Sequence, residues 1–139
     1  MNYIETDGKF VLRFVKGDTF IENLIKFLEE RKIEFSSFQG IGAALKVEIA
    51  FYSLKDKEYH PKTFEGEFEI TGLIGNSSMN EGKPIIHAHT TIADETFNAY
   101  GGHVMEIIVA GALEIVLTPL SAKPERKFDE ETGLKLLDI

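Results

Sequence analysis

Three of the four histidines, His87, His89 and His103, fall within a seventeen-residue window and are the densest concentration of reactive side chains in the chain. In a strand, residues two apart project to the same side, so His87 and His89 point together while Ile86 and Ala88 take the reverse. His103 follows Gly101-Gly102, a pair that permits a bend and a close backbone approach. A chelating pair on one strand plus a third imidazole alongside it is the arrangement of a three-histidine site for zinc or a similar divalent cation, with a fourth position left open. The competing reading is two strand histidines held in solvent or in core hydrogen bonds, with His103 simply following a glycine turn.

Asp94 and Glu95 follow the histidine strand and are placed to orient an imidazole or act as a base on a metal-bound water, and Glu106 is a further candidate to support the histidines. Surface solvation is the alternative for Asp94. Glu106, three residues past His103 on a continuous strand, would face away from it and needs a partner if buried. His60, before Pro61 in the polar stretch Lys55–Lys62, reads as part of an exposed turn. Other chemistries find little support. Gly40-Ile41-Gly42-Ala43 lacks the third glycine and the following helix of a dinucleotide fingerprint. Ser77 and Ser78, in the polar run Gly75–Gly82, lack the spacing of a nucleophile elbow. With no cysteine, disulfides, iron–sulfur clusters and thiolate zinc are excluded, and a reducing cytoplasm is the natural setting.

The elements that must position these residues can be read from periodicity. Lys9–Val15 reads as a strand ended by Gly17. Thr19 and Glu22 then have the spacing of a capping box, with Asp18 an equal candidate for the cap. The helix that follows carries an apolar stripe of Phe20, Ile21, Leu24, Ile25, Phe27 and Leu28, with charged residues opposite. Beyond it the period becomes two: Val47, Ile49 and Phe51, then Phe64, Phe68 and Ile70, alternate with polar residues. Ile85–Ile92, Val104–Ala110 and Leu113–Thr118 supply three more strands, and an Asp129–Gly133 turn precedes Leu134, Leu136 and Leu137. Connections this short exclude helical crossovers. The expected class is α+β: a single mostly antiparallel sheet of about seven strands with an N-terminal amphipathic helix packed on it, residues 1–139 forming one domain.

The chain of 139 residues is 43% hydrophobic and 27% charged, the balance of an ordinary globular domain that needs no metal merely to fold. Its 15 basic and 23 acidic residues give a net charge of −8. That makes a poor electrostatic case for duplex DNA. The N-terminus, with Glu5 and Asp7, lacks the apolar run of a signal peptide. The longest uncharged apolar stretch, Ile107–Leu113, is far short of the roughly 20 residues that span a bilayer.

Taken together, Gly40-Ile41-Gly42-Ala43, Gly66-Glu67-Phe68-Glu69-Ile70, Gly72, Gly82-Lys83-Pro84, His87-Ala88-His89, Asp94, Gly101-Gly102-His103 and Glu114-Ile115 resemble the plant and prokaryote conserved (PPC) domain family from about Lys9 to Leu120. The resemblance implies a small α+β domain assembling as a homotrimer, a zinc-like metal on His87, His89 and His103, and a DNA-binding or transcription-related role. In plant relatives an AT-hook ahead of the domain grips the minor groove; Met1–Lys9 offers one lysine and no arginine for that purpose. The family loop that normally has arginine in second place carries Glu67 here, reversing its charge. The first cupin motif is nearly spelled by Gly82, His87-Ala88-His89, Asp94 and Gly101, but its spacing is one short and no second motif follows. A zinc-dependent enzyme, or a sensor of a small ligand at the open metal position, is the alternative to an assembly module.

Overall fold

The computed structural model describes residues 1–139. It contains a large antiparallel sheet, one helix and a small C-terminal hairpin. In chain order the elements are β1 (Asn2–Thr6), β2 (Lys9–Val15), α1 (Phe20–Arg31), β3 (Ser36–Ser53), β4 (Glu58–Asn80), β5 (Lys83–Ala93), β6 (Ala99–Pro119), β7 (Arg126–Phe128) and β8 (Lys135–Leu137). The large sheet has six strands in the order β1-β2-β6-β3-β4-β5, and β7 and β8 pair separately. The expected single sheet of about seven strands is thus corrected to six plus two.

The difference in count has physical causes. Val104–Ala110 and Leu113–Thr118 belong to one strand, β6, that continues through Gly111. Register shifts in β3 at Gly40/Gly42 and Ala44/Lys46 let long strands bend without breaking. β1 was not expected; it pairs with β2 from Asn2↔Arg13 to Thr6↔Lys9 across a turn at Asp7 and Gly8, both at positive φ. Residues 76–80 and 60–62, expected in a loop and a turn, extend β4 at its two ends. Ser77, far from any nucleophilic role, is fully buried and shares a 2.7 Å hydrogen bond with Ser36 Oγ.

The beginning of β6 also pairs with β5, from His89↔His103 to Ala93↔Ala99. Because β6 pairs with β3, β3 with β4 and β4 with β5, these four strands close upon themselves. Their alternation turns Ala88, Thr90, Ile92, Val104 and Ile107 into the interior. α1 buries Phe20, Leu24, Phe27 and Leu28 against β5 and β6. Phe14 and Phe38 meet Phe20 edge-on, with ring centroids 5.7 and 6.0 Å away. No helix is long and apolar enough to cross a membrane.

Candidate metal centre

The strand alternation that buries Ala88 and Thr90 puts His87 and His89 on the outer surface of β5. His103 arrives beside them because it is the cross-strand partner of His89. Gly101 and Gly102 therefore act as strand residues opposite Thr91 and Thr90, in place of the expected bend. A Cβ on Gly102 would lie 3.0 Å from the Ala50 carbonyl oxygen, so a glycine here lets β6 lie close against β3 while it also follows β5.

The three rings form a nearly equilateral group, with centroid separations of 5.3 Å for His87–His89, 5.3 Å for His87–His103 and 5.4 Å for His89–His103. One nitrogen from each lies within 4.8 Å of the other two. A tetrahedral zinc with bonds of about 2.0–2.1 Å holds its nitrogens roughly 3.3 Å apart, within reach of small side-chain rotations from this arrangement. Their donor nitrogens hydrogen-bond to no protein group, whereas His60 Nε2, on the far side of the β3–β4 turn, lies 3.2 Å from Asp56. The residues present fit a divalent cation.

The electrostatics at His87 and His103 favour the neutral, ligand-ready ring. Burial comes first in pushing His103 down to about 4, followed by the nearby charges of His87, His89 and Arg126. His87 is also held below the ordinary histidine value, first by burial and then by Arg126 and His89. The His103 ring lies against Tyr59, with centroids 4.8 Å apart and planes inclined at 34°.

Asp94 and Glu106 make other bonds. Asp94 Oδ1 accepts from the Thr96 and Asn98 backbone N–H groups at 2.9 and 3.0 Å and from Thr96 Oγ1 at 2.7 Å, organising the β5–β6 connection. These hydrogen bonds hold its carboxyl below the ordinary range. Glu106 Oε1 accepts from the backbone N–H groups of Ile21 and Ile107, both at 2.9 Å. It satisfies the start of α1, the task the Thr19–Glu22 pair was expected to perform; Thr19 bonds Glu22 through its side chain and caps no backbone N–H.

Residues outside the histidine motif complete the surroundings. An open hollow of about 430 Å3 is lined by the three histidines together with Phe51, Tyr59 and Leu134, among others. Arg126 lies over the same surface: Nη2 donates to Asn76 Oδ1 at 3.0 Å, and Asn76 is the cross-strand partner of His87. Its Nε donates to Ser78 Oγ and its Nη1 to the Lys135 carbonyl, both at 2.9 Å. Neither Arg126 nor Tyr59 is marked by local spacing. The signal available in the sequence was a tail with its own turn and a lone arginine.

A search of curated proteins finds no match. Among solved structures, a metal-containing protein from Archaeoglobus fulgidus is 37% identical with a TM-score of 0.90, the match covering 97% of this chain and 96% of that one. A Ralstonia eutropha protein provisionally described as DNA-binding is 32% identical with a TM-score of 0.93, covering 99% and 95%. One from Bacteroides thetaiotaomicron with the same provisional description is 29% identical with a TM-score of 0.95, covering 99% and 96%. Residues 1–121 match the Plants and Prokaryotes Conserved (PCC) domain, the family whose motifs run through the glycine and histidine segments, and the chain belongs to it.

Proposed function

We propose that this chain is a metal-binding member of the family, with His87, His89 and His103 holding zinc or a similar divalent cation, and that it works as a homotrimeric assembly or regulatory module. The observation that carries the metal reading is the convergence of three partnerless imidazole donors within 4.8 Å. The metal-containing relative from Archaeoglobus fulgidus supports it. The trimer draws support from the outer sheet surface, where Ile41 and Ile74 are 62% and 69% exposed beside an open apolar hollow of about 450 Å3. Ile74 is the cross-strand partner of His89, so this apolar surface runs to the edge of the histidines. Covering it by other copies would remove apolar area from water.

Direct duplex binding has little electrostatic support in a chain of net charge −8. Any transcription-related role is then exercised through protein contacts. The second reading is a zinc-dependent enzyme or small-ligand sensor, favoured by the hollow beside the histidines. A cation on three nitrogens keeps a position for water or ligand and lowers the pKa of bound water towards about 7. His87, His89 and His103 would hold that cation in their neutral forms.

The test is elemental analysis of untagged protein together with a His87→Ala/His89→Ala variant, each sized in solution by light scattering. One divalent ion per chain in the parent and none in the variant is the expected result. Equal trace metal in both removes the metal reading, and a monodisperse monomer removes the trimer.

A further inference from the structure

The surroundings of the histidines are unusual in their charge. The chain has 23 aspartates and glutamates, yet none lines the hollow over His87, His89 and His103. The nearest fixed charge identified is positive. Arg126 is partly buried, its three hydrogen bonds go to the uncharged acceptors Ser78 Oγ, Asn76 Oδ1 and the Lys135 carbonyl, and no carboxylate forms an ion pair with it. Five N–H groups belong to a guanidinium, so those three bonds leave two donors unused. A divalent cation on three neutral imidazoles beside this arginine would make the hollow strongly positive, with no carboxylate of this chain lining it. A hollow lined by one sign of charge draws in an anion.

Arg126 stands beside the hollow, bonded to the cross-strand partner of His87, and a second donor group lines the hollow itself. Tyr59 lines the hollow with its ring on His103, and its hydroxyl makes no hydrogen bond within the protein. A phenol hydroxyl with no partner in the protein is available as a donor to a ligand in the hollow.

We infer that the metal centre takes a small free carboxylate, recognised by the Arg126 guanidinium and the Tyr59 hydroxyl while its oxygen occupies the metal's open position. This rests on the metal reading above and names the chemical class of its ligand. The C-terminal segment is what makes it possible. Residues past the family match at 121 are fastened to β4 by the Met79–Glu125 bridge, and the segment brings both Arg126 and Leu134 to the site. Tyr52 Oη donates to the Thr132 carbonyl at 2.7 Å and Lys57 Nζ to the Glu130 carbonyl at 2.6 Å, fixing the segment on its other side.

The full untagged chain loaded with cobalt(II) reports both steps separately: metal content by elemental analysis, and carboxylate binding by the change in visible absorption on titration with acetate. Cobalt at one per chain is expected in the parent, in Arg126→Gln and in Tyr59→Phe. Acetate affinity should fall at least tenfold in Arg126→Gln and about threefold in Tyr59→Phe. Tyr59→Phe keeps the ring on His103 and removes only the hydroxyl, so it decides the question if Arg126→Gln loosens the tail. Unchanged acetate affinity in cobalt-loaded variants overturns the inference. A parent chain that takes up no cobalt overturns the metal reading itself, and the carboxylate site falls with it.

Discussion

Acidifying the metal-free protein from pH 7 to pH 5 should destabilise it through His103. Its pKa is held at about 4, against 6.5 for a free side chain, chiefly by burial and then by the charges of His87, His89 and Arg126. Between these values the unfolded chain binds a proton that the native ring refuses. Stability from this residue is therefore full above the unfolded value and is lost as pH falls towards 4. At pH 5 a shift of this size corresponds to about 2 kcal/mol, each pKa unit being worth about 1.4 kcal/mol. The ring is only half-buried, and solvent screening reduces the expectation to about 1 kcal/mol. His87, shifted in the same direction, adds to the sign.

The window separates this effect from the carboxylates. Asp94 and Asp129 are held below the ordinary carboxylate range by hydrogen bonds, with Thr96 first for Asp94 and Thr132 first for Asp129, so their contribution is lost at lower pH. Urea denaturation followed by far-ultraviolet circular dichroism, in EDTA at pH 7, 6 and 5, measures the slope. The parent should lose about 1 kcal/mol more than His103→Gln between pH 7 and 5. Equal pH dependence in the two proteins refutes the argument that burial keeps this imidazole neutral.

Two packing predictions concern the scaffold around the site. A Cβ at Gly75 would lie 2.6 Å from the His87 carbonyl oxygen and closer still to Phe38 Cζ; Gly75→Ala should destabilise by about 1–3 kcal/mol in chemical denaturation and weaken metal binding measured by competition with a chelator. Glu106→Ala removes the acceptor for two backbone N–H groups; a loss of about 0.5–2 kcal/mol is expected, with metal content unchanged, and a loss of metal would mean that Glu106 supports the histidines after all.

Much of the histidine centre was legible because strand geometry has period two. His87 and His89 must share a face of β5 whatever the rest of the fold does, and the apolar Ala88 between them marks the opposite face as interior. The family motifs extended that reading to His103. Its route to the site was not legible: Gly101-Gly102 suggested a bend, whereas long-range pairing of β6 with β5 sets His103 opposite His89. Local spacing also misread the ends of β4, since Ser77 is satisfied by Ser36 on one face of the strand while Asn76 and Ser78 are covered by Arg126 of the tail on the other. The helix and its stripe were visible in full, but the acceptor at its start comes from Glu106, 85 residues away from Ile21. Arg126 and Tyr59 carry no local signature for the same reason. Their proximity depends on where the C-terminal segment docks, and no short-range pattern encodes that.

The core and the site are consequently one construction. Ala88, Thr90 and Ile92 are buried by the alternation that presents His87 and His89 outward, and the β5–β6 register that seats Ile92 opposite Tyr100 also sets His89 opposite His103. A slip of one residue would turn His89 inward and Thr90 outward, breaking the Thr90 hydroxyl's bond to the Gly72 carbonyl and burying an imidazole in its place. The penalty is cooperative, because every inward residue of β5 would be displaced together. The donor geometry is therefore set by the fold itself, and binding a cation would need only small rotations of three side chains in place of folding a loop. A site preorganised in this way would hold a cation without relying on it for the fold, as a chain of this size with its own apolar core permits.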